Sequence, residues 1–233
     1  MEKLLVCIAC HHSNEREANL YHILTTLWEY DMEVKVIIDT QERFEVITNL
    51  DLEVHVHAPA HPYHLAWYHR GHFLRELENY DYFMYIEDDM EIPYENFKNY
   101  LKNFKLLWPS FVPSFVRLET FEREKYIVDA VNRNFKRYEI DGREFITLSN
   151  PYHAFWIMPY RELKETLTPD FGRLDTWREL AASYPMWELK KTPLVEITNG
   201  QIEPLCYSYH LTNNYAPDPT TPFGKIKVKD YVI

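Results

Sequence analysis

The sequence predicts an α/β fold, a single domain built on an open mixed sheet with helices on both faces. Three observations point there. Short apolar runs bounded by polar turns alternate with helix-length amphipathic stretches through the first half of the chain. The first of these runs is continuously apolar, as strands of a parallel sheet covered on both faces must be. No Gly/Ser/Pro-rich linker divides the 233 residues, so one large domain fits the length better than two small ones.

Residues 4–10 form the first strand, followed by the polar turn His11-His12-Ser13-Asn14-Glu15. Residues 16–30 are helical, with Leu20, Ile23, Leu24 and Leu27 on one stripe. Residues 33–39 and 52–57 are the second and third strands. Residues 63–77 read as one helix carrying Leu65, Tyr68, Phe73 and Leu77 near one face. The fourth strand, 82–86, runs straight into Glu87-Asp88-Asp89, and Pro93 stands at the first position of a helix reaching about residue 107. The second half is less regular. Residues 111–119, 145–148 and 153–158 read as strands, with a turn at Asp141-Gly142, and 175–184 as a helix. From Thr192 onward the chain reads as a wrapping segment; no internal repeat or low-complexity tract is present.

Composition removes several function classes. Lys and Arg number 25 against 36 Asp and Glu, a net charge of −11 that repels nucleic-acid phosphates. An anionic substrate therefore needs a local basic group or a bridging cation. The five glycines, Gly71, Gly142, Gly172, Gly200 and Gly224, are far apart, so neither a dinucleotide-binding glycine loop nor a Walker A loop exists. Three cysteines, an odd number, fit a reduced, cytoplasmic chain rather than a disulfide scaffold. Cys7 and Cys10 lie within one strand, where alternation points them to opposite faces. The apolar run around them is too short to span a membrane and lacks the flanks of a signal peptide, so no transmembrane segment is expected.

In open α/β sheets, ligands bind beyond the carboxyl ends of the strands. Residues His11 to Glu15, Asp39 and Glu87 to Asp89 all fall there. Three consecutive carboxylates repel one another unless something neutralises them. A hard divalent cation, Mn²⁺ or Mg²⁺, does so and bridges carboxylates to phosphates; the bland alternative is a solvated acidic turn. His55, His57, His61, His64, His69 and His72 crowd together in a way that brings zinc to mind. They straddle a strand, a Pro-containing loop and a helix without an H-E-x-x-H or Cys/His pairing, which argues against it.

With Glu87-Asp88-Asp89 closing a strand, His69-Arg70-Gly71-His72-Phe73-Leu74 before it and Tyr209-His210-Leu211-Thr212-Asn213-Asn214-Tyr215 near the end, the chain resembles the GT-A family of nucleotide-sugar glycosyltransferases. That resemblance implies a Rossmann-like GT-A domain, about 1–107 binding the nucleotide and about 108–233 the acceptor. The acidic triplet matches the DXD-type motif, with Asp89 as direct metal ligand and His210 adding a nitrogen. Glu87 or Asp88 would reach the ribose hydroxyls, Asp39 the nucleobase, and the loop of His11, Ser13, Asn14 and Glu15 would lie over the nucleoside. Arg70 would offset donor charge. The departure is Glu87, longer than the aspartate usual at that position.

The activity implied is metal-dependent transfer of a sugar from a nucleoside diphosphate, UDP by family frequency, to a glycan or other hydroxyl acceptor. Inversion of configuration needs a carboxylate base. Glu179 is the first choice and Asp175 the second, although an aspartate there also serves to cap a helix. Tyr152, Phe155, Trp156, Trp177 and Trp187 offer rings for sugar faces, most of them expected in the core. Two rivals stand beside this reading: a nucleotidyltransferase, which normally carries a glycine-rich loop after strand one, and a non-catalytic carbohydrate- or nucleotide-binding module.

Overall fold

The computed structural model describes residues 1–11, 13–151, 154–231 and 233, apart from the side chains of Asn14, Glu15 and Pro62. The chain forms two compact units, each drawn from two segments: Met1–Met90 with Ala154–Leu189, and Glu91–His153 with Lys190–Ile233. They are therefore not consecutive halves of the sequence. The helix Tyr94–Leu107 belongs to the second unit and the strand Phe155–Pro159 to the first.

In the first unit the elements run β1 (Lys3–Cys10), α1 (Asn14–Trp28), β2 (Glu33–Thr40), β3 (Asp51–Val56), α2 (Tyr68–Arg75), β4 (Tyr82–Glu87) and β5 (Phe155–Pro159). The sheet order is β5-β4-β1-β2-β3. The first four strands are parallel and β5 is an antiparallel edge, so the open mixed α/β sheet predicted from the sequence is present. Leu4 to Cys10 are buried along the whole of β1, the central strand. Full burial of one such aliphatic side chain contributes about 1.5–3 kcal/mol.

Two boundaries differ from expectation. Ser13, extended at φ −158° and ψ 163°, caps α1 by accepting the Arg16 N–H at 3.3 Å, so the helix begins before Arg16. The stretch read as one helix over 63–77 is a 3₁₀ turn, Pro62–Trp67, followed by α2 and a second 3₁₀ turn, Leu77–Asn79. Leu65, Ala66 and Trp67 are buried in succession, which no single face of an α-helix accommodates.

In the second unit Pro93, extended, stands one residue before the first helical position expected for it, and the helix Tyr94–Leu107 that follows buries Phe97, Tyr100, Phe104 and Leu107. The strand expected over 111–119 is two. Phe111–Pro113 pairs in parallel with 192–194, whereas Val116–Phe121 pairs with Glu124–Ile127 in another sheet. Pro113 has no N–H for a ladder, and the chain changes sheets just after it. The Asp141-Gly142 turn is as expected: both residues have positive φ, 51° and 69°, and join the hairpin strands Arg137–Ile140 and Arg143–Ile146.

The segment from Thr192 is not a wrapping tail. Thr192–Thr198 is an interior strand flanked by Phe111–Pro113 and Gln201–Ile202 and by the hairpin strand 143–146, with Leu194, Val195 and Ile197 buried. Its Leu-Val-Glu-Ile alternation is a strand signal that the surrounding prolines obscure. Tyr207–His210 then pairs in parallel with 116–118. Among the described residues no helix is long and apolar enough to cross a membrane. Cys7, Cys10 and Cys206 are buried free thiols.

Candidate functional site

β1 lies between β2 and β4, so strand order reverses beside it, and the carboxyl ends there frame the crevice where open α/β sheets take ligands. The register sets Ala9 opposite both Asp39 and Glu87. The loop after β1, Asp39 and the acidic triplet are thereby gathered at one edge of the sheet. His12 lies outside the described residues, as do the side chains of Asn14 and Glu15.

Asp88 and Asp89 are buried, 1% and 4% exposed, and Glu87 is partly so. They are held by a residue that sequence reasoning missed. The Arg16 guanidinium donates from Nη1 to Asp88 Oδ1 and to Asp89 Oδ2, each at 2.5 Å. The backbone N–H of His11 donates to the other Asp88 oxygen at 2.9 Å. Burial pushes the Asp88 carboxyl up to about 7, with Arg16 acting against the rise and Asp89 adding to it. Arg16 keeps its charge in spite of burial because Asp89 and Asp88 face it. The only sequence signal for this role was a cation in the first turn of a helix that begins beside the acidic strand end. Two buried carboxylates already sharing one cation are, as a donor set, what a hard divalent ion requires.

Asp39 is 1% exposed, and its Oδ1 faces His57 Nε2 at 2.6 Å and His72 Nε2 at 2.9 Å. These three atoms have the closeness of a metal site. The tautomer of His72 speaks against that use. Arg75 donates to His72 Nδ1 at 2.7 Å, and a guanidinium has no acceptor, so the ring proton sits on Nε2 and points at Asp39. His57 is further fixed by Tyr68 stacked on it at 3.7 Å and 7°. The other histidines of the crowded stretch go elsewhere. His61 caps the 3₁₀ turn, and His69 gives its Nδ1 proton to the Ala66 carbonyl while accepting from Trp156.

Arg70, expected to offset donor charge, is 1% exposed. It pairs with Glu188, donates to the Leu180 carbonyl at 2.9 Å and lies over the Trp67 ring at 4.2 Å. Its charge is met within the protein, and it ties α2 to the segment after β5. In that segment Asp175 is exposed, and its Oδ1 accepts the N–H groups of Thr176 and Trp177 at 2.6 and 3.1 Å. Glu179 is half-buried in the first turn of the short helix Arg178–Ala182. Of the predicted aromatic wall, Phe155 and Trp156 are core. Trp177 and Trp187 stand open, 48% and 42% exposed with ring centres 5.4 Å apart; Tyr152 lies outside the described residues.

His210 belongs to the second unit and has its own partner. Its Nδ1 lies 2.6 Å from Oε1 of Glu119, which is buried in Val116–Phe121 and also accepts the backbone N–H groups of Tyr215 and Ala216. Burial alone would raise the Glu119 carboxyl; these donors hold it below the ordinary range, so it is an anion.

No family model matches the chain, and no curated protein matches it. Among solved structures it is similar to S. aureus TarS 1–349, at 12% identity and a TM-score of 0.44 over 91% of this chain and 61% of that one. It is likewise similar to S. aureus TarS 1–349 in complex with UDP-GlcNAc, at 13% identity and 0.44 over 92% and 62%. The chain thus spans about three fifths of the length of those structures. The fold assignment rests on this chain's own strand order and pairing.

Proposed function

We propose that the protein transfers a sugar from a nucleoside diphosphate donor, of the UDP-sugar class, to a hydroxyl acceptor, with Mn²⁺ or Mg²⁺ as cofactor. The observation that carries this is the buried Asp88–Asp89 pair gathered around one cation beside the reversal of strand order. Asp89 would hold the divalent ion; bound there, it would neutralise the diphosphate leaving group. Asp39, its Oδ1 occupied by two imidazoles, keeps Oδ2 for a nucleobase N–H. The open faces of Trp177 and Trp187 suit an acceptor sugar.

Thermal unfolding with a panel of nucleotide-sugars, with and without Mn²⁺, tests the reading. A ligand at about 100 times its Kd stabilises by about 2.7 kcal/mol. The expected result is one nucleotide-sugar that stabilises strongly only with Mn²⁺, and an Asp89→Asn variant that folds but has lost the Mn²⁺-dependent part. Equal stabilisation in EDTA removes the metal. No stabilisation by any nucleotide-sugar removes the transfer. A second reading has a specific observation behind it: Arg16 already neutralises the pair, making the cluster a tie between α1 and β4. On that reading Mn²⁺ has no effect and Asp89→Asn unfolds the chain.

Glu179 is proposed as the acceptor base, because Asp175 spends its Oδ1 on two backbone N–H groups. Loss of a general base costs about 10²–10⁴-fold in rate. Glu179→Gln should lose transfer by that order at unchanged donor affinity, and Asp175→Asn should not. The reverse outcome moves the base to Asp175. Near-normal rates in both remove the inverting mechanism, which the anomeric configuration of the product would then show by NMR.

A further inference from the structure

We infer that the second unit carries a binding site for an anionic sugar, a ring bearing a phosphate or a carboxylate, in a cavity that the transfer reading leaves unassigned; the inference does not rest on that reading. The cavity holds about 460 Å³, within the range of about 300–1,000 Å³ for sites that enclose one small molecule. All of its lining residues belong to the second unit. Ile202, Tyr207 and Tyr231 form an apolar and aromatic wall, with Ile202 and Tyr231 buried. The Tyr231 hydroxyl has no hydrogen-bond partner among the described residues, so the wall also carries an unspent polar group. Rings with a polar end suit a sugar, which is apolar across its face and polar at its edge. Gln201 adds an exposed amide to the same lining.

The rest of the lining sets the charge. Arg123, Lys125 and Lys229 stand there against one carboxylate, Glu124. Glu124 is already committed, since Lys229 Nζ donates to its Oε1 at 2.6 Å and Lys227 Nζ approaches the same oxygen at 3.9 Å. Lys125 meets the ring of Tyr209 at 5.3 Å, and Arg123 has no carboxylate partner among the described residues. In a chain of net charge −11, an excess of positive charge around a concave wall is a place for an anion. The backbone adds an independent sign. Glu122 and Arg123 are the two-residue turn between Val116–Phe121 and Glu124–Ile127, with φ 49° and 64°. Such turns favour Asn-Gly or Asp-Gly, as at Asp141-Gly142 in the same unit. An arginine held in the left-handed region costs stability, and residues kept in that conformation gather at ligand clamps. The planar guanidinium it presents can grip a phosphate or a carboxylate through two parallel N–H bonds.

The experiment is an amide ¹H–¹⁵N NMR titration of the full chain in EDTA with glucose 6-phosphate, glucuronate, glucose and inorganic phosphate, each alone. At least one of the two sugar anions should shift the amides of residues 123–125 and 201–202 saturably, about tenfold or more tighter than glucose or inorganic phosphate, the margin of one charge-assisted pair. Binding of glucose 6-phosphate alone identifies the anion as a phosphate, and of glucuronate alone as a carboxylate; either result supports the site. Binding of neither overturns the inference. So does equal affinity for glucose, which leaves the cations idle, or for inorganic phosphate, which leaves the wall idle. These titrations of the native chain decide the matter without any variant. Arg123→Gly then separates binding from folding. Glycine takes φ 64° without strain, so the variant should unfold at the native temperature or above it. Its affinity for the sugar anion should nonetheless fall about tenfold or more. Unchanged affinity in Arg123→Gly overturns the inference, and because EDTA is present throughout, neither result bears on the metal-dependent donor site.

Discussion

At the scale of single residues, the site is governed by which group supplies positive charge to buried carboxylates. Asp88 and Asp89 are almost inaccessible, and Arg16 stands between them where a divalent ion would compete for the same oxygens. Replacing Arg16 by Met keeps the aliphatic stem and removes the charge. Without metal, two adjacent buried carboxylates then face each other with one guanidinium fewer, and an unsatisfied buried partner costs about 1–3 kcal/mol. Arg16→Met should therefore unfold at lower temperature in EDTA, by an amount of that order. Mn²⁺ should restore more stability to it than to the native chain, since the competing cation is gone. Weaker Mn²⁺ binding in Arg16→Met would mean that Arg16 shapes the carboxylate pair for the ion instead of excluding it.

At the scale of elements, the parallel part of the first sheet was legible because its strands are continuous apolar runs and their polar ends mark where they stop. β1, β2, β3 and β4 all fall within a residue or two of their expected bounds. The same reasoning placed Asp39, Glu87, Asp88 and Asp89 at one sheet edge, because a parallel strand's carboxyl end is defined by the strand itself. What was not legible depends on partners distant in sequence. Arg16 is a surface-type residue by any local pattern and acquires its role from a carboxylate pair at positions 88 and 89. Glu119 looks like the solvent-facing member of an alternating strand until a parallel neighbour delivers His210 beside it. Arg70 shows the converse: a basic residue near a charged motif invites a ligand role, while Glu188 and the Leu180 carbonyl engage it in the fold. Thr192–Thr198 was hidden by Pro193, which a strand tolerates where the ladder does not need its N–H.

At the scale of the whole molecule, the net charge of −11 acts on every charged ligand that approaches, and it acts with opposite sign on the two that the proposed reaction needs. A divalent cation is drawn in by that field and a nucleoside diphosphate is pushed away. Ionic strength weakens both effects: going from about 0.01 M to about 0.15 M shortens the Debye length from about 30 Å to about 8 Å. Mn²⁺ affinity should therefore fall as NaCl is raised, while the affinity of the metal-free chain for a nucleotide-sugar should rise. The Arg16 guanidinium does not reverse the second slope, because it is already committed to Asp88 and Asp89. Both titrations by calorimetry over that range, with EDTA present in the second, give the two slopes directly. A donor affinity that falls with salt would reveal an unengaged positive field at the donor site, and the need for a metal to bring an anion to this chain would disappear with it.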